Sequence, residues 1–192
     1  ELAYKAASLI DCGRPHDPTG EVNMFGGNYR MSELQAALLN VAIQRFPAQA
    51  AERSETADYL DEALSEVPGV TLLRRDPRHT SRALYCYVFK IDPAQFGDHT
   101  NAEVCHALDA EGIPASQGYA PMYRNTLFQP KLSKLAVPSA FPEKFNFELL
   151  DECERASTRE AVWIGESVFR SGREGVDDVV EALKKVQAGF TE

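Results

Sequence analysis

The dipeptide Pro68-Gly69 separates two stretches with different residue periods, and this break limits the fold more than any other feature of the chain. Before it, apolar residues recur at helical spacing, first Leu34, Leu38, Val41 and Ala42, then Ala57, Leu60, Leu64 and Val67. Ser32 and Gln35 have the residue types of a capping box, which satisfies the free amides of a first helical turn reciprocally. Pro47 falls inside the run and predicts either a kink or the opening of a second helix. Two long consecutive helices, suited to a connecting scaffold, are therefore expected. The opening residues ELAYKAASLI put Leu2, Ala6, Leu9 and Ile10 on one helical face. No capping residue precedes them, which predicts that upstream sequence has been lost or omitted.

After the break the pattern changes to strands alternating with capped helices. Residues 70–73 predict a short strand, and residues 84–91, dense in Tyr, Val and Phe, a stronger one. Thr100 and Glu103 form a second capping-box pattern, ahead of a stripe of Val104, Ala107 and Leu108 and a stop at Gly112. A further strand is expected over 113–116. Residues 118–147 hold prolines and aromatics without a sustained period and predict a long ordered loop, the kind of segment that carries function. A helix over 147–156, a strand over 161–164 and a closing helix marked by Val176, Val179, Val180, Leu183 and Val186 complete the chain. The architecture expected is a helical stem followed by a compact sheet covered by helices, an α/β or α+β module.

Composition removes several function classes. A formal charge of −9 opposes general nucleic-acid binding, which rests on Lys and Arg. The local exception, Arg74, Arg75, Arg78, His79 and Arg82, lacks interleaved aromatics and predicts a solvated loop between strands. No apolar run reaches the roughly 18 residues that span a bilayer, and the N-terminus lacks a signal pattern. Cys12, Cys86, Cys105 and Cys153 stand apart, as thiols of a reducing cytosol do, and neither they nor the four histidines show a metal-ligand spacing. A cytoplasmic protein without a metal site is expected. Nor does a self-sufficient catalytic set emerge: there is no nucleophile elbow, P-loop or dinucleotide fingerprint.

Residues 26–37, GGNYRMSELQAA, carry the chemistry that remains. Two glycines let the backbone pass close to a bulky group, and Asn28 and Arg30 extend from the loop just ahead of a capped helix. An amide and a guanidinium fork suit an anionic phosphate or carboxylate. A capping loop whose arginine pairs with a surface acid fits the same residues.

The stretch resembles the G-x-N-[YF]-R-[ML]-[ST]-E-x-Q-A-A signature of pyridoxal-phosphate (PLP) dependent sugar aminotransferases of the DegT/StrS family. SLIDCGRPHD before it, GIPASQGYAPMY after it and the closing AVWIGESVFRSGREGVDDVVEALKKV are similar to family segments in the same order. The last is most like the branch handling cyclitols and aminohydroxybenzoate. The resemblance implies the C-terminal portion of an aspartate-aminotransferase-like α/β fold. Residues 1–67 would end the large domain and supply the connecting helices, and residues 68–192 would form the small C-terminal α/β domain. It also implies PLP as cofactor and a homodimer with shared active sites. Asn28 would bind the cofactor phosphate of the other subunit. Arg30 would hold phosphate or substrate oxygens, and Tyr119 and Tyr123 would line the substrate mouth. The lysine that holds PLP is expected upstream, because Lys5, Lys90, Lys131, Lys134, Lys144, Lys184 and Lys185 lie in no comparable loop. The chain alone is then expected to be inactive. The implied reaction moves an amino group from glutamate or glutamine to a keto-sugar, nucleotide-linked or not, or to a keto-cyclitol. Two alternatives stay open, a sugar dehydratase with histidine in place of the lysine and a non-catalytic interaction module. Trp163 to Ser167 departs from the usual family pattern and leaves the acceptor undecided.

Overall fold

In the computed structural model, which describes residues 1–79, 82, 84–125 and 150–192, the chain divides into two units, Glu1–Ala48 and Gln49–Glu192. In the first, α1 (Leu2–Ile10) ends where Cys12 and Gly13 take positive φ. The loop then folds back, so that the Ser8 hydroxyl accepts a hydrogen bond from the Met24 amide at 3.0 Å. Asp17 accepts amide hydrogens from Thr19, Glu21 and Val22, which fixes the Pro18–Thr19 turn. The Ser32–Gln35 box forms as expected: the Ser32 amide donates to Gln35 Oε1 at 2.9 Å, and the Gln35 amide to Ser32 Oγ at 3.3 Å.

The helix it opens, α2 (Glu33–Ser65), is one element with Pro47 inside it, not the two consecutive helices the proline suggested. Proline removes the amide that would bond to the Ile43 carbonyl, but both residues are exposed, so water can serve that carbonyl.

In the second unit, four strands pair antiparallel throughout in the order β1-β2-β4-β3: β1 (Val70–Leu72), β2 (Cys86–Ile91), β3 (Ala115–Ser116) and β4 (Ala161–Gly165). An antiparallel sheet decides between the two architectures left open above. Alternation along β2 and β4 turns Tyr87, Phe89, Ile91, Val162 and Ile164 to one face. That face is covered by Leu60 and Leu64 of α2, by Val104 and Leu108 of α3 (Asn101–Ala110), and by Val176, Val179 and Leu183 of the closing helix α5 (Gly172–Thr191). Each such side chain contributes about 1.5–3 kcal/mol on burial. The Thr100–Glu103 box caps α3, and Gly112 follows it at φ +89.

Differences from the expected elements lie at their ends. The strands expected over 70–73, 84–91 and 113–116 are shorter, and the one over 161–164 runs a residue longer. Of the helix over 147–156, α4 (Asp151–Arg155) is described and passes into a π turn, Ala156–Glu160, while its start and most of the loop over 118–147 lie outside the described residues. The basic stretch is solvated as expected at Arg74, Arg75, Arg78 and His79, which are exposed, while Arg82 is half-buried. Arg75 pairs with Asp58, Arg78 with Asp76, and Arg82 with Asp58 and Asp61. Arg82 also stands 5.6 Å over the Tyr87 ring. Among the described residues, no helix is long and apolar enough to cross a membrane.

Candidate functional site

Asn28 and Arg30 meet in the first unit around a carboxylate that sequence reasoning overlooked, Asp11. The backbones of Asp11 and Asn28 form an antiparallel bridge, so the signature loop is paired to the exit of α1. Asn28 Oδ1 accepts from Arg30 Nε at 3.1 Å, which turns the amide NH2 group away from the guanidinium. Arg30 Nη1 lies 2.9 Å from Asp11 Oδ1, Arg14 Nη1 3.1 Å from the same oxygen, and His16 Nε2 3.0 Å from Asp11 Oδ2. Only 13% of the Asp11 side chain is exposed, against 50% for Arg30. Burial alone would raise the Asp11 carboxyl, but the His16 hydrogen bond and the charges of Arg30 and Arg14 outweigh it and hold the group below its ordinary value. The acid pairing that composition left open is therefore present, and its partner is this half-buried hub.

The glycine pair serves an internal approach. A Cβ at Gly26 would lie 2.3 Å from the Leu9 carbonyl oxygen, so the bulky group that Gly26 passes is α1 itself. At Gly27 a Cβ would meet the Tyr29 ring at 2.9 Å.

Tyr119 and Tyr123 lie in the second unit, with different surroundings. The Tyr119 ring stands edge-on to Trp163, centroids 5.5 Å apart at 81°, and its hydroxyl is 3.2 Å from that of Tyr85. That hydrogen bond is the main cause holding the Tyr119 phenol above its ordinary pKa. Together with Trp163 these tyrosines border a cleft of about 490 Å³ at one end of the sheet. Tyr123 is tied elsewhere, its hydroxyl donating to Glu154 Oε1 at 2.5 Å. Burial, then Glu154, push its phenol up to about 12. Arg124 binds the same carboxylate.

Residues 1–144 match the DegT/DnrJ/EryC1/StrS aminotransferase family. The chain belongs to this family. It is 32% identical, over 96% of its own length and 46% of the relative's, to a putative L-glutamine:3-amino-2,3-dideoxy-scyllo-inosose aminotransferase of Streptoalloteichus tenebrarius. It is 30% identical to an L-glutamine:2-deoxy-scyllo-inosose aminotransferase of the same organism, over 88% of this chain and 40% of the relative. Among solved structures it resembles 3-amino-5-hydroxybenzoic acid synthase, with a TM-score of 0.72 and 23% identity over 96% of this chain and 47% of that one. A Helicobacter pylori aminotransferase involved in pseudoaminic acid biosynthesis gives 0.67 and 21% over 95% and 45%. The chain thus spans about half the length of the curated relatives it matches. The fold expected from the signature is the fold of these aminotransferase structures.

The family implies PLP, and the donor set of the first unit fits its phosphate. Two guanidinium groups and an imidazole surround a single carboxylate there, with the primary amide of Asn28 beside Arg30, a set of donors suited to a dianion. Of the described lysines, Lys5, Lys90 and Lys185 are ion-paired with Glu1, Glu160 and Glu111. Lys131, Lys134 and Lys144 lie outside the described residues.

Sequence reasoning also missed Tyr85, and it marked Trp163 only as part of a departure from the family pattern. Asp11 carried a faint local signal, an acid three and five residues ahead of Arg14 and His16. Tyr85 carried none, because its hydroxyl reaches Tyr119 only once the sheet is in register, with Trp163 opposite both Val88 and Ser116.

Proposed function

We propose that this chain is the C-terminal part of a PLP-dependent aminotransferase, cytoplasmic and homodimeric, that moves an amino group from glutamate or glutamine to the keto carbon of a sugar or cyclitol. The observation that carries this reading is the Asp11–Asn28–Arg30 cluster, lying within the GGNYRMSELQAA stretch and the segment before it. Asn28 would donate its amide hydrogens to a phosphate oxygen of the cofactor bound mainly by the other subunit. Arg30 would supply positive charge beside it, with Asp11 keeping the guanidinium aimed along the loop. When bound, PLP supplies the electron sink for exchange of the amino group. Tyr119 would face the acceptor at the mouth, and Tyr123 would brace that loop against Glu154. The division into residues 1–67 and 68–192 belongs to the same proposal, with the first part completing a large domain.

Several observations support the partner and donor. Leu34, Leu38, Val41, Ile43 and Phe46 are all exposed on the first half of α2, an apolar surface suited to subunit contact. Relatives named for glutamine and scyllo-inosose derivatives support the donor and a ring ketone as acceptor. The four cysteines, all free thiols, agree with a reducing compartment.

The test is to express the protein with its native upstream sequence, record the visible absorbance of lysine-bound PLP, and assay amino transfer from glutamine to scyllo-inosose. Cofactor retention that drops at least tenfold in Asn28→Ala and Arg30→Ala is expected, each being about 1.4 kcal/mol or more at the phosphate. A full-length protein with an intact upstream lysine that never takes up PLP would end the proposal.

A further inference from the structure

Gln49, Glu52 and Arg53 share one face of α2, being three and four residues apart. Beside them runs the short 3-10 helix Glu166–Arg170 that follows β4 directly, and it turns Glu166, Phe169 and Arg170 toward the same opening. These six residues, all within the second unit, line a groove of about 370 Å³. That volume is in the range of small-molecule sites. Phe169 has no exposed surface and packs on Tyr87, ring centroids 5.7 Å apart, so the 3-10 helix is anchored to the core.

The charges in this groove are incompletely paired. Glu166 presents one oxygen to each of two guanidinium groups: Oε1 lies 3.2 Å from Arg170 Nη2, and Oε2 lies 3.9 Å from Arg53 Nη1. The second distance is an ion pair beyond hydrogen-bond reach. Only 24% of the Arg53 side chain is exposed. Yet among the described residues its guanidinium, a fork of N–H donors, makes no hydrogen bond. The Glu52 carboxylate and the Gln49 amide, on the same helix face, have no partner there either. A cation largely withdrawn from water and left without hydrogen bonds is costly unless something else supplies them.

Both guanidiniums already converge on one carboxylate, so they can share a second, with the Gln49 amide as a further donor. An anion alone would also face Glu52 and Glu166. A cation alone would face the two arginines. A small molecule carrying both signs on neighbouring atoms meets each with its opposite. We propose that this groove binds a free α-amino acid as its zwitterion, the carboxylate on Arg53 and Arg170 and the ammonium on Glu52 and Glu166. The proposal stands on the groove alone and does not depend on the aminotransferase function.

The test isolates the two charges of the ligand. The chain, labelled with nitrogen-15, is titrated with L-alanine, with N-acetyl-L-alanine, which lacks the ammonium, with L-alanine methyl ester, which lacks the carboxylate, and with inorganic phosphate, all at matched ionic strength. L-alanine is expected to saturate and to shift the Nε–H resonances of Arg53 and Arg170. The two blocked derivatives and phosphate should each bind at least about fivefold more weakly. Arg53→Gln should weaken L-alanine about tenfold or more. Glu52→Gln, an exposed helix position, should remove the preference for L-alanine over its N-acetyl derivative. Unchanged amide resonances of Tyr87, Phe89 and Ile91 in both variants show that the core is intact, and Glu52→Gln alone decides if Arg53→Gln disturbs them. Phosphate or N-acetyl-L-alanine binding as tightly as L-alanine, saturation that neither variant alters, or no shift at Arg53 would each overturn the proposal. A full-length protein that never takes up PLP would end the aminotransferase reading and leave these titrations as they are.

Discussion

The two units use apolar residues in opposite ways. In Gln49–Glu192, two sheet strands and three helices close on one another, and Phe89, Leu60, Leu108, Ile164 and Leu183 have no exposed surface. In Glu1–Ala48 the one buried residue is Ser8, a polar side chain that bonds a backbone amide, while Leu34, Leu38 and Phe46 are exposed. The second unit is held by burial, and the first by turn and bridge hydrogen bonds with an ion cluster at Asp11. Stability of the second unit is therefore set within the chain. Apolar residues of the first are spaced as a helix face but have gained little from it, as expected of a surface that functions against something else.

The sharpest way to break this comparison is a pair of deletions. Phe89→Ala should cost the chain about 3–5 kcal/mol, the range for a large side chain removed from a closed core. Leu38→Ala, at a position 67% exposed, should change stability by less than about 0.5 kcal/mol. Urea unfolding of both variants measures the difference, and equal losses would abolish the distinction. Next in size are two changes that act through polar or backbone geometry. The Asn101 side chain, fully buried, donates to the carbonyls of Ser157 and Ala161 at 3.1 and 2.8 Å and so pins α3 to the π turn. Asn101→Ala should destabilise the second unit by about 1–3 kcal/mol, since both carbonyls lose a partner. Gly26→Ala forces a Cβ against the Leu9 carbonyl and should cost about 1–3 kcal/mol, the range for overpacking. Hydrogen exchange locates each loss. The Gly27 amide, bonded to Leu9 O at 3.0 Å, should exchange faster in Gly26→Ala while the amides of β2 keep their protection.

What could be read in advance follows the range of the interactions. Both capping boxes, Ser32–Gln35 and Thr100–Glu103, span three residues, so the sequence window contains the whole interaction. The stripe of α5 and the stop at Gly112 were legible for the same reason. Pro47 misled because the rule that proline ends a helix assumes that the freed carbonyl has no partner, and here it is exposed. At the site, Asn28 and Arg30 stood out through the pattern of one loop, but their common partner Asp11 lies across a backbone bridge. The Tyr85–Tyr119 contact spans 34 residues and exists only once β2, β3 and β4 are in register. Tyr123 had the same local signal as Tyr119 and turned out to be braced against Glu154, because a tyrosine pattern does not say which way the hydroxyl reaches.

The smallest predicted effect compares the two units at a single carboxylate each. Asp17 fixes a turn in the first unit, and its carboxyl lies at about 2, chiefly through the Thr19 hydroxyl and then the amides of Val22 and Glu21. Glu103 caps α3 in the second, also at about 2, chiefly through the Thr100 amide and hydroxyl and then His99. In both, the folded value is below that of the unfolded chain, so the contribution is complete above the ordinary carboxylate range and is lost as pH falls toward about 2. Following the Val22 and Thr100 amide resonances in an acid titration should give midpoints near 2 for both. Consequences should differ: protonating Asp17 releases only a local turn, whereas protonating Glu103 loosens a helix packed in the core, so far-UV signal should follow the second titration. Glu103→Gln retains a capping-box residue and should remove that acid sensitivity while leaving the Asp17 titration in place. A Thr100 midpoint at the ordinary glutamate value would show that the cap is open in solution, and the polar contact of the core-packed helix would then be held less firmly than the turn at Asp17.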